Sequence, residues 1–118
     1  MGGQAVFGFA PESMFSVQLR EAVAKKDGTI AFALNMEEFR ARLSQVLPAL
    51  VIVDLLAAGA DSTEIIHLST QIGSKVIGFA PPSQIDVMTR AERDGCHAVY
   101  PSSKFKMDLE SILSEWLY

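Results

Sequence analysis

The feature that most constrains this chain is a regular alternation of short apolar runs with longer segments of helical spacing. Five runs of strand length recur along the 118 residues, and each is followed by a segment whose apolar residues repeat every three or four positions. This alternation is typical of βα units built around a parallel sheet. The predicted strands are Ala5–Ala10, Thr29–Leu34, Leu50–Leu55, Lys75–Ala80 and Ala98–Tyr100.

The segments that follow the strands predict helices, each with one buried face. Asn35 is expected to cap the second helix and Ser83 the fourth, while Gly95 occupies the position of a left-handed C-terminal cap. The small residues Ala57–Ala60 predict a loop. The predicted core faces are Phe15, Leu19, Ala22 and Val23; Phe39, Leu43, Val46 and Leu47; Ile65, Leu68 and Ile72; Ile85, Met88 and Ala91; and Leu109, Ile112, Leu113 and Trp116.

The third predicted strand is the best candidate for the centre of the sheet. Leu50–Leu55 is apolar on both faces until Asp54, as expected of a parallel strand that helices cover on both sides. Ligand sites of open α/β sheets cluster at the carboxyl ends of the strands. Asp54 is therefore the leading candidate for a site residue, and the alternative is that it merely marks where the strand meets solvent.

Composition narrows the function classes. A chain of 118 residues with 49% hydrophobic content predicts one domain, spanning residues 1–118. Ten basic residues and a net charge of −4 give no electrostatic footprint for nucleic acid. The longest apolar run is interrupted by Asp54, so no membrane span is expected. A single cysteine, Cys96, precludes an internal disulfide and favours the reducing cytoplasm.

Two segments resemble the receiver domain of two-component response regulators. LVIVDLL at Leu50–Leu56 is similar to the receiver's third strand with its phosphate-accepting aspartate, here Asp54. RAERDGCHAVYPSS at Arg90–Ser103 is similar to the end of helix four, the short fifth strand and the loop that follows. The resemblance runs over nearly the whole chain. It implies a flavodoxin-like three-layer α/β sandwich, with a five-stranded parallel sheet of order 2-1-3-4-5 and about five helices.

The resemblance also implies that the phosphorylation site has degenerated. Receivers hold Mg²⁺ with an acidic pair at the end of strand one, and those positions here carry Phe9 and Ala10. The hydroxyl position at the end of strand four carries Ala80, and the lysine position at the end of strand five carries Tyr100. Asp54 alone is retained, so we expect no metal or other cofactor and no enzymatic activity.

Three further expectations follow from the resemblance. Glu12 and Tyr100 are the residues that could rescue the site, Glu12 as a substitute Mg²⁺ ligand beside Asp54 and Tyr100 as a hydrogen-bond donor. His97 occupies the aromatic switch position, where an imidazole could instead sense pH, and an ordinary surface histidine is the alternative. The Tyr100–Pro101 bond is predicted to be cis, as is common in this loop of receivers.

Three functions remain open at this point. The first is a pseudo-receiver that signals by binding a protein partner, through the face of helix four, strand five and helix five, with homodimerisation there as a further option. The second is a working stand-alone response regulator in a phosphorelay, with a site rebuilt around Asp54, Glu12 and Tyr100. The third is a flavodoxin-like small-ligand binder, although no glycine-rich phosphate loop is present.

Overall fold

The computed structural model describes residues 4–9 and 15–117, with the backbone alone for residues 15 and 16. Five parallel strands form one sheet in the order β2-β1-β3-β4-β5, which confirms the predicted flavodoxin-like arrangement. The strands are β1 (Ala5–Phe9), β2 (Thr29–Ala33), β3 (Leu50–Asp54), β4 (Lys75–Ala80) and β5 (Ala98–Pro101).

Helices follow every strand within the described part of the chain. They are α1 (Phe15–Ala24), α2 (Met36–Val46), α3 (Leu55–Ala58), α4 (Ser62–Gln71), α5 (Ile85–Asp94), α6 (Ser102–Met107) and α7 (Leu109–Trp116), and a 3-10 turn at Gly59–Asp61 joins α3 to α4. None of the helices in residues 4–9 and 15–117 has the length and apolar character that crossing a membrane requires.

The sheet separates two hydrophobic cores. Phe39 and Val53 belong to the first core, beneath α2, α3, α4 and α5, whereas Ile52 and Leu113 belong to the second core, beneath α1, α6 and α7. All four side chains are fully buried, and burying a side chain of this size contributes roughly 1.5–3 kcal/mol. β3 supplies both cores because successive residues of a strand point to opposite faces. This double burial explains its continuous apolar sequence.

Two helix ends form as their sequences predict. The Asn35 side chain caps α2 by accepting a hydrogen bond from the Glu38 N–H at 2.8 Å. At the C-terminal end of α5, Gly95 takes φ 112°, a left-handed conformation that costs glycine little. These signals depend on residues close in sequence, which is why the sequence alone predicts them.

Three residues that were predicted to be buried are exposed. Leu47, Ile72 and Ile85 lie at the ends of α2, α4 and α5, and their exposed fractions are 66%, 42% and 66%. Helical spacing places them on the inner faces, but the covering elements do not extend to the helix ends. Leu47 also takes φ 47°, so the chain has already left the helix there. Trp116, by contrast, is half-buried against the second core.

Three local predictions about α3, α5 and α6 are wrong. Ala57–Ala60 was predicted to be a loop, but it is helical, because Asp54 caps the helix-forming residues that follow it. Ser83 does not cap α5, since it lies in a turn closed by the Gln84 N–H and the Pro81 carbonyl at 2.8 Å, too early to reach the helix. The sequence also missed α6, which begins directly after β5.

Candidate functional site

Asp54 ends β3 at the carboxyl edge of the sheet and begins α3. Its carboxylate accepts a hydrogen bond from the Ala57 N–H at 3.2 Å, which makes it the N-cap of that helix. Burial raises the pKa of Asp54 above its ordinary value of 3.8, and the backbone N–H groups of Ala57 and Leu56 oppose that shift. The half-buried carboxylate therefore already has a structural partner.

The position that the resemblance assigns to the first acidic residue belongs to the core. Phe9 pairs in register with Val53 and is almost completely buried. Its ring contacts Phe39 edge-on, with centroids 6.1 Å apart, and Phe39 stacks on Phe7 at 5.1 Å. The side chain at this position fills space beneath α2. Ala10 and Glu12, the second acidic position and the predicted rescue ligand, lie outside the described residues.

Ala80 and Pro101 are neighbours at the carboxyl ends of β4 and β5. Ala80 is fully buried and has no hydroxyl with which to bind a phosphoryl oxygen. The Tyr100–Pro101 bond is trans, so the prediction of a cis bond is wrong. Pro101 takes φ −60° and ψ 140°, ends β5 and serves as the N-cap residue of α6, so no tight turn there offsets the preference of the bond for trans.

Tyr100 and Asp54 are separated by an aromatic residue. Phe79 of β4 is the register partner of both, so about two interstrand spacings, roughly 10 Å, separate their backbones. Phe79 is buried and stacks on Phe105, with ring centroids 4.8 Å apart. The Tyr100 hydroxyl accepts a hydrogen bond from Trp116 Nε1 at 3.1 Å. This bond holds the phenol against α7, and the structure does not bring Tyr100 to Asp54.

His97 lies at the opposite end of β5 from the site. Its backbone N–H donates to the Val76 carbonyl at 2.7 Å, and its Nδ1 accepts from the Val76 N–H at 3.0 Å. Val76 precedes Ala80 by four residues of extended chain, about 13 Å. The exposed His97 ring contacts Trp116 edge-on at 6.2 Å. The structure therefore does not bring the predicted switch residue near Ala80.

A small pocket beside the site escaped the sequence analysis. It has a volume of about 130 Å³ and lies between the segment after β3 and α5, where its walls include Leu56, Gly59 and Val87. Arg90 borders it and donates to the Thr63 hydroxyl at 3.2 Å. Sites for cofactors and drug-sized ligands occupy roughly 300–1,000 Å³, so this pocket is too small for a flavin or a nucleotide. Its walls come from segments distant in sequence, and no local motif predicts it.

The described residues form no metal-binding cluster, and their cysteine thiol is buried. In the described parts of the chain, 4–9 and 15–117, no three His, Cys, Asp or Glu side chains are grouped so as to hold a metal ion. Cys96 is buried, and burial raises the pKa of its thiol to about 12. The thiol is therefore protonated at neutral pH, which makes it a poor nucleophile.

Comparisons with known proteins identify the fold. No protein-family model matches the chain, and no curated protein matches it in sequence. Among solved structures, a response regulator from Thermotoga maritima superposes with a TM-score of 0.80 at 17% identity, with 95% of each chain covered. A response-regulator signal receiver domain from Bermanella marisrubri gives 0.80 at 13% identity, covering 95% of this chain and 96% of its own.

A third solved structure carries a different description. It is a putative pilus assembly-related protein from Burkholderia pseudomallei, with a TM-score of 0.73, 10% identity, and coverage of 95% of this chain and 87% of its own. At identities this low, the likeness shows a fold and not an activity. The chain has the fold of a response-regulator receiver domain, and its function has to be argued from its own residues.

Proposed function

We propose that this chain, with its receiver fold, is a signalling module that acts by binding a protein partner, with weak or absent phosphorylation at Asp54. In this proposal it is not an enzyme and uses no cofactor. Its single cysteine is buried, which fits a reducing compartment, and we place it in the cytoplasm. The observation that carries the proposal is the environment of the Asp54 carboxylate.

The electrostatics of Asp54 disfavour added negative charge. Burial already raises the pKa of this carboxyl, which means that the surroundings oppose even one negative charge. A phosphoryl group would bring about −1.5 to −2 charges to the same place. The neighbour that faces Asp54 across the sheet is Phe79, whose ring cannot neutralise them. These surroundings therefore raise the free-energy cost of phosphorylating Asp54.

The side chains that would bind a phosphoryl group and transmit a conformational change also differ from those of a receiver that responds to phosphorylation. Ala80 supplies no hydroxyl at the end of β4. The hydroxyl of Tyr100 is bound to Trp116, and His97 is bound to Val76 at the far end of β5. Among the described residues, the side chains at these three positions are therefore not placed to respond to a charge on Asp54. Such a charge could not shift α5, β5 or α7 through them. These contacts support a binding function that does not depend on a phosphorylation switch.

Phosphotransfer from a small donor tests the proposal. The purified chain is incubated with acetyl phosphate and Mg²⁺, and its intact mass is followed over time beside an Asp54→Asn control and a known active receiver. We expect the known receiver to gain a phosphoryl group while this chain and its control remain unmodified. A phosphoryl adduct that is lost in Asp54→Asn would overturn the proposal in favour of a working response regulator.

A further inference from the structure

An open groove runs between α2 and α4, on the face of the molecule that covers the first core. It has a volume of about 310 Å³, and its apolar wall is formed by Leu43, Leu68 and Ile72. Ser44 and Gln71 supply polar groups at its rim. We call this feature the α2–α4 groove. Asp54 does not line it, so nothing inferred about the groove depends on the chemistry of that carboxylate.

Two apolar side chains project beside the groove at the ends of its helices. Leu47 follows the last turn of α2, one turn beyond Leu43, and Ile72 follows α4. They are 66% and 42% exposed. Leu47 also has φ 47°, a left-handed conformation that leucine rarely adopts. Exposure and backbone strain both disfavour leucine in an isolated chain, so its presence points to a contact outside that chain.

An ion pair spans the groove at its other end. Arg40 of α2 donates from Nε and Nη2 to the two carboxylate oxygens of Glu64 of α4, at 2.6 and 2.7 Å. Both side chains are about half exposed. The groove thus carries one positive charge on the α2 side and one negative charge on the α4 side at the same height. Arg40 of α2 is thus level with Glu64 of α4, and Leu47 at the end of α2 is level with Ile72 at the end of α4.

We propose that a second copy of this chain docks in the α2–α4 groove and forms a symmetric dimer. A twofold axis parallel to the two helices places α2 of one copy over α4 of the other. Leu47 of each copy then meets Ile72 of the other, because both residues end their helices at the same edge of the sheet. Arg40 of each copy faces Glu64 of the other. Both the apolar and the charged groups are self-complementary under this one operation.

The first test is the oligomeric state over a concentration series of about three orders of magnitude, from micromolar to millimolar, by sedimentation equilibrium. We expect the mass to rise from 12.8 kDa towards twice that value. Leu47→Asp should weaken the dimer about a hundredfold, because each substitution occurs twice in the interface. Asparagine is tolerated at a positive φ, so Leu47→Asn provides a second test if the aspartate variant is poorly folded. It should also weaken the dimer.

A charge-exchange experiment separates contacts between copies from contacts within one copy. Arg40→Glu gives a chain with two acidic groups at the groove, and Glu64→Arg gives a chain with two basic groups, so each variant alone should be monomeric. When the two are mixed, every cross-copy pair is again of opposite charge. We therefore expect a heterodimer in the mixture, although the pair within each chain remains repulsive.

Matched controls lie on other faces of the molecule. Ile85→Asp in α5 and Met107→Asp at the end of α6 alter residues that are 66% and 84% exposed, and both should leave the dimer unchanged. A dimer that is lost in Ile85→Asp but kept in Leu47→Asp would place the interface on the α5 face and overturn the inference. A wild-type chain that stays monomeric throughout the series would overturn it too, leaving the groove to a different protein.

Discussion

Trp116 Nε1 donates a hydrogen bond to the Tyr100 hydroxyl at 3.1 Å, and this bond holds the Tyr100 side chain of β5 against α7. In the receiver domains that this chain resembles, the position that corresponds to Tyr100 carries the lysine that binds the phosphoryl group. Here the side chain is anchored to α7 and packs on Phe105, with ring centroids 6.0 Å apart. A position used for chemistry in the resembling family is used for packing in this chain.

Removing that hydroxyl should destabilise the fold. Tyr100→Phe leaves the partly buried Trp116 N–H without its acceptor, at a cost of about 0.5–1.5 kcal/mol in the free energy of unfolding. A double-mutant cycle with Trp116→Phe, measured by urea denaturation, should give a coupling energy of similar size. Purely additive effects of the two substitutions would contradict the contact.

Asp54→Asn should stabilise the protein at neutral pH. The asparagine still caps α3, so the substitution removes only the charge. Because the folded-state pKa of Asp54 is raised above 3.8, the stability contributed by the protonated carboxyl is fully present below pH 3.8 and is lost as the pH rises through the folded-state value. Allowing for solvent screening of this half-exposed group, the gain at pH 7 should be a few tenths to about 1 kcal/mol.

The pH dependence of that gain is the decisive measurement. Chemical denaturation of wild type and Asp54→Asn between pH 3 and pH 7 should give curves that converge below about pH 3.8. Asp86→Asn is a matched control, because Asp86 is exposed in the first turn of α5 and its loss should bring no gain. An Asp54→Asn variant that is less stable than wild type at pH 7 would show that the charge is favourable.

His97 should matter as a backbone partner of β4. His97→Ala removes the acceptor of the Val76 N–H and should cost about 1 kcal/mol, with faster hydrogen exchange at the Val76 amide. His97→Asn places a side-chain oxygen near the position of Nδ1 and should retain most of the stability. His67→Ala, on the exposed surface of α4, should change neither quantity. Equal losses in His97→Ala and His97→Asn would contradict this role.

Leu47→Gly should raise the stability of the monomer. Leucine in a left-handed conformation costs roughly 1–2 kcal/mol, and glycine relieves that cost while losing more entropy on folding. We expect a net gain of about 0.5–1 kcal/mol, measured in dilute solution by thermal unfolding. Leu56→Gly is the control, because Leu56 is similarly exposed but lies within α3 without a positive φ, and it should lose stability. A loss in Leu47→Gly would mean that Leu47 contributes to the fold of the monomer.

The sequence by itself determined the order of the five strands and the centre of the sheet. The run Leu50–Leu55, apolar until Asp54, predicts a strand that is buried on both faces, and the Asn35 cap and the Gly95 turn depend on residues within a few positions of each other. Signals of this kind depend on residues close in sequence and not on how distant segments pack. They are sufficient to place Asp54 at the carboxyl edge of the sheet.

Tertiary structure decided what surrounds that aspartate and which surfaces stay open. Tyr100 meets Trp116 across 16 residues and His97 meets Val76 across 21, and no periodic pattern encodes such pairs. Helical spacing likewise assigned Leu47 and Ile72 to inner faces, but whether a helix end is covered depends on how far its neighbours extend. The physical reason is the same in each case, because local sequence fixes the direction of a side chain while distant segments fix what it meets.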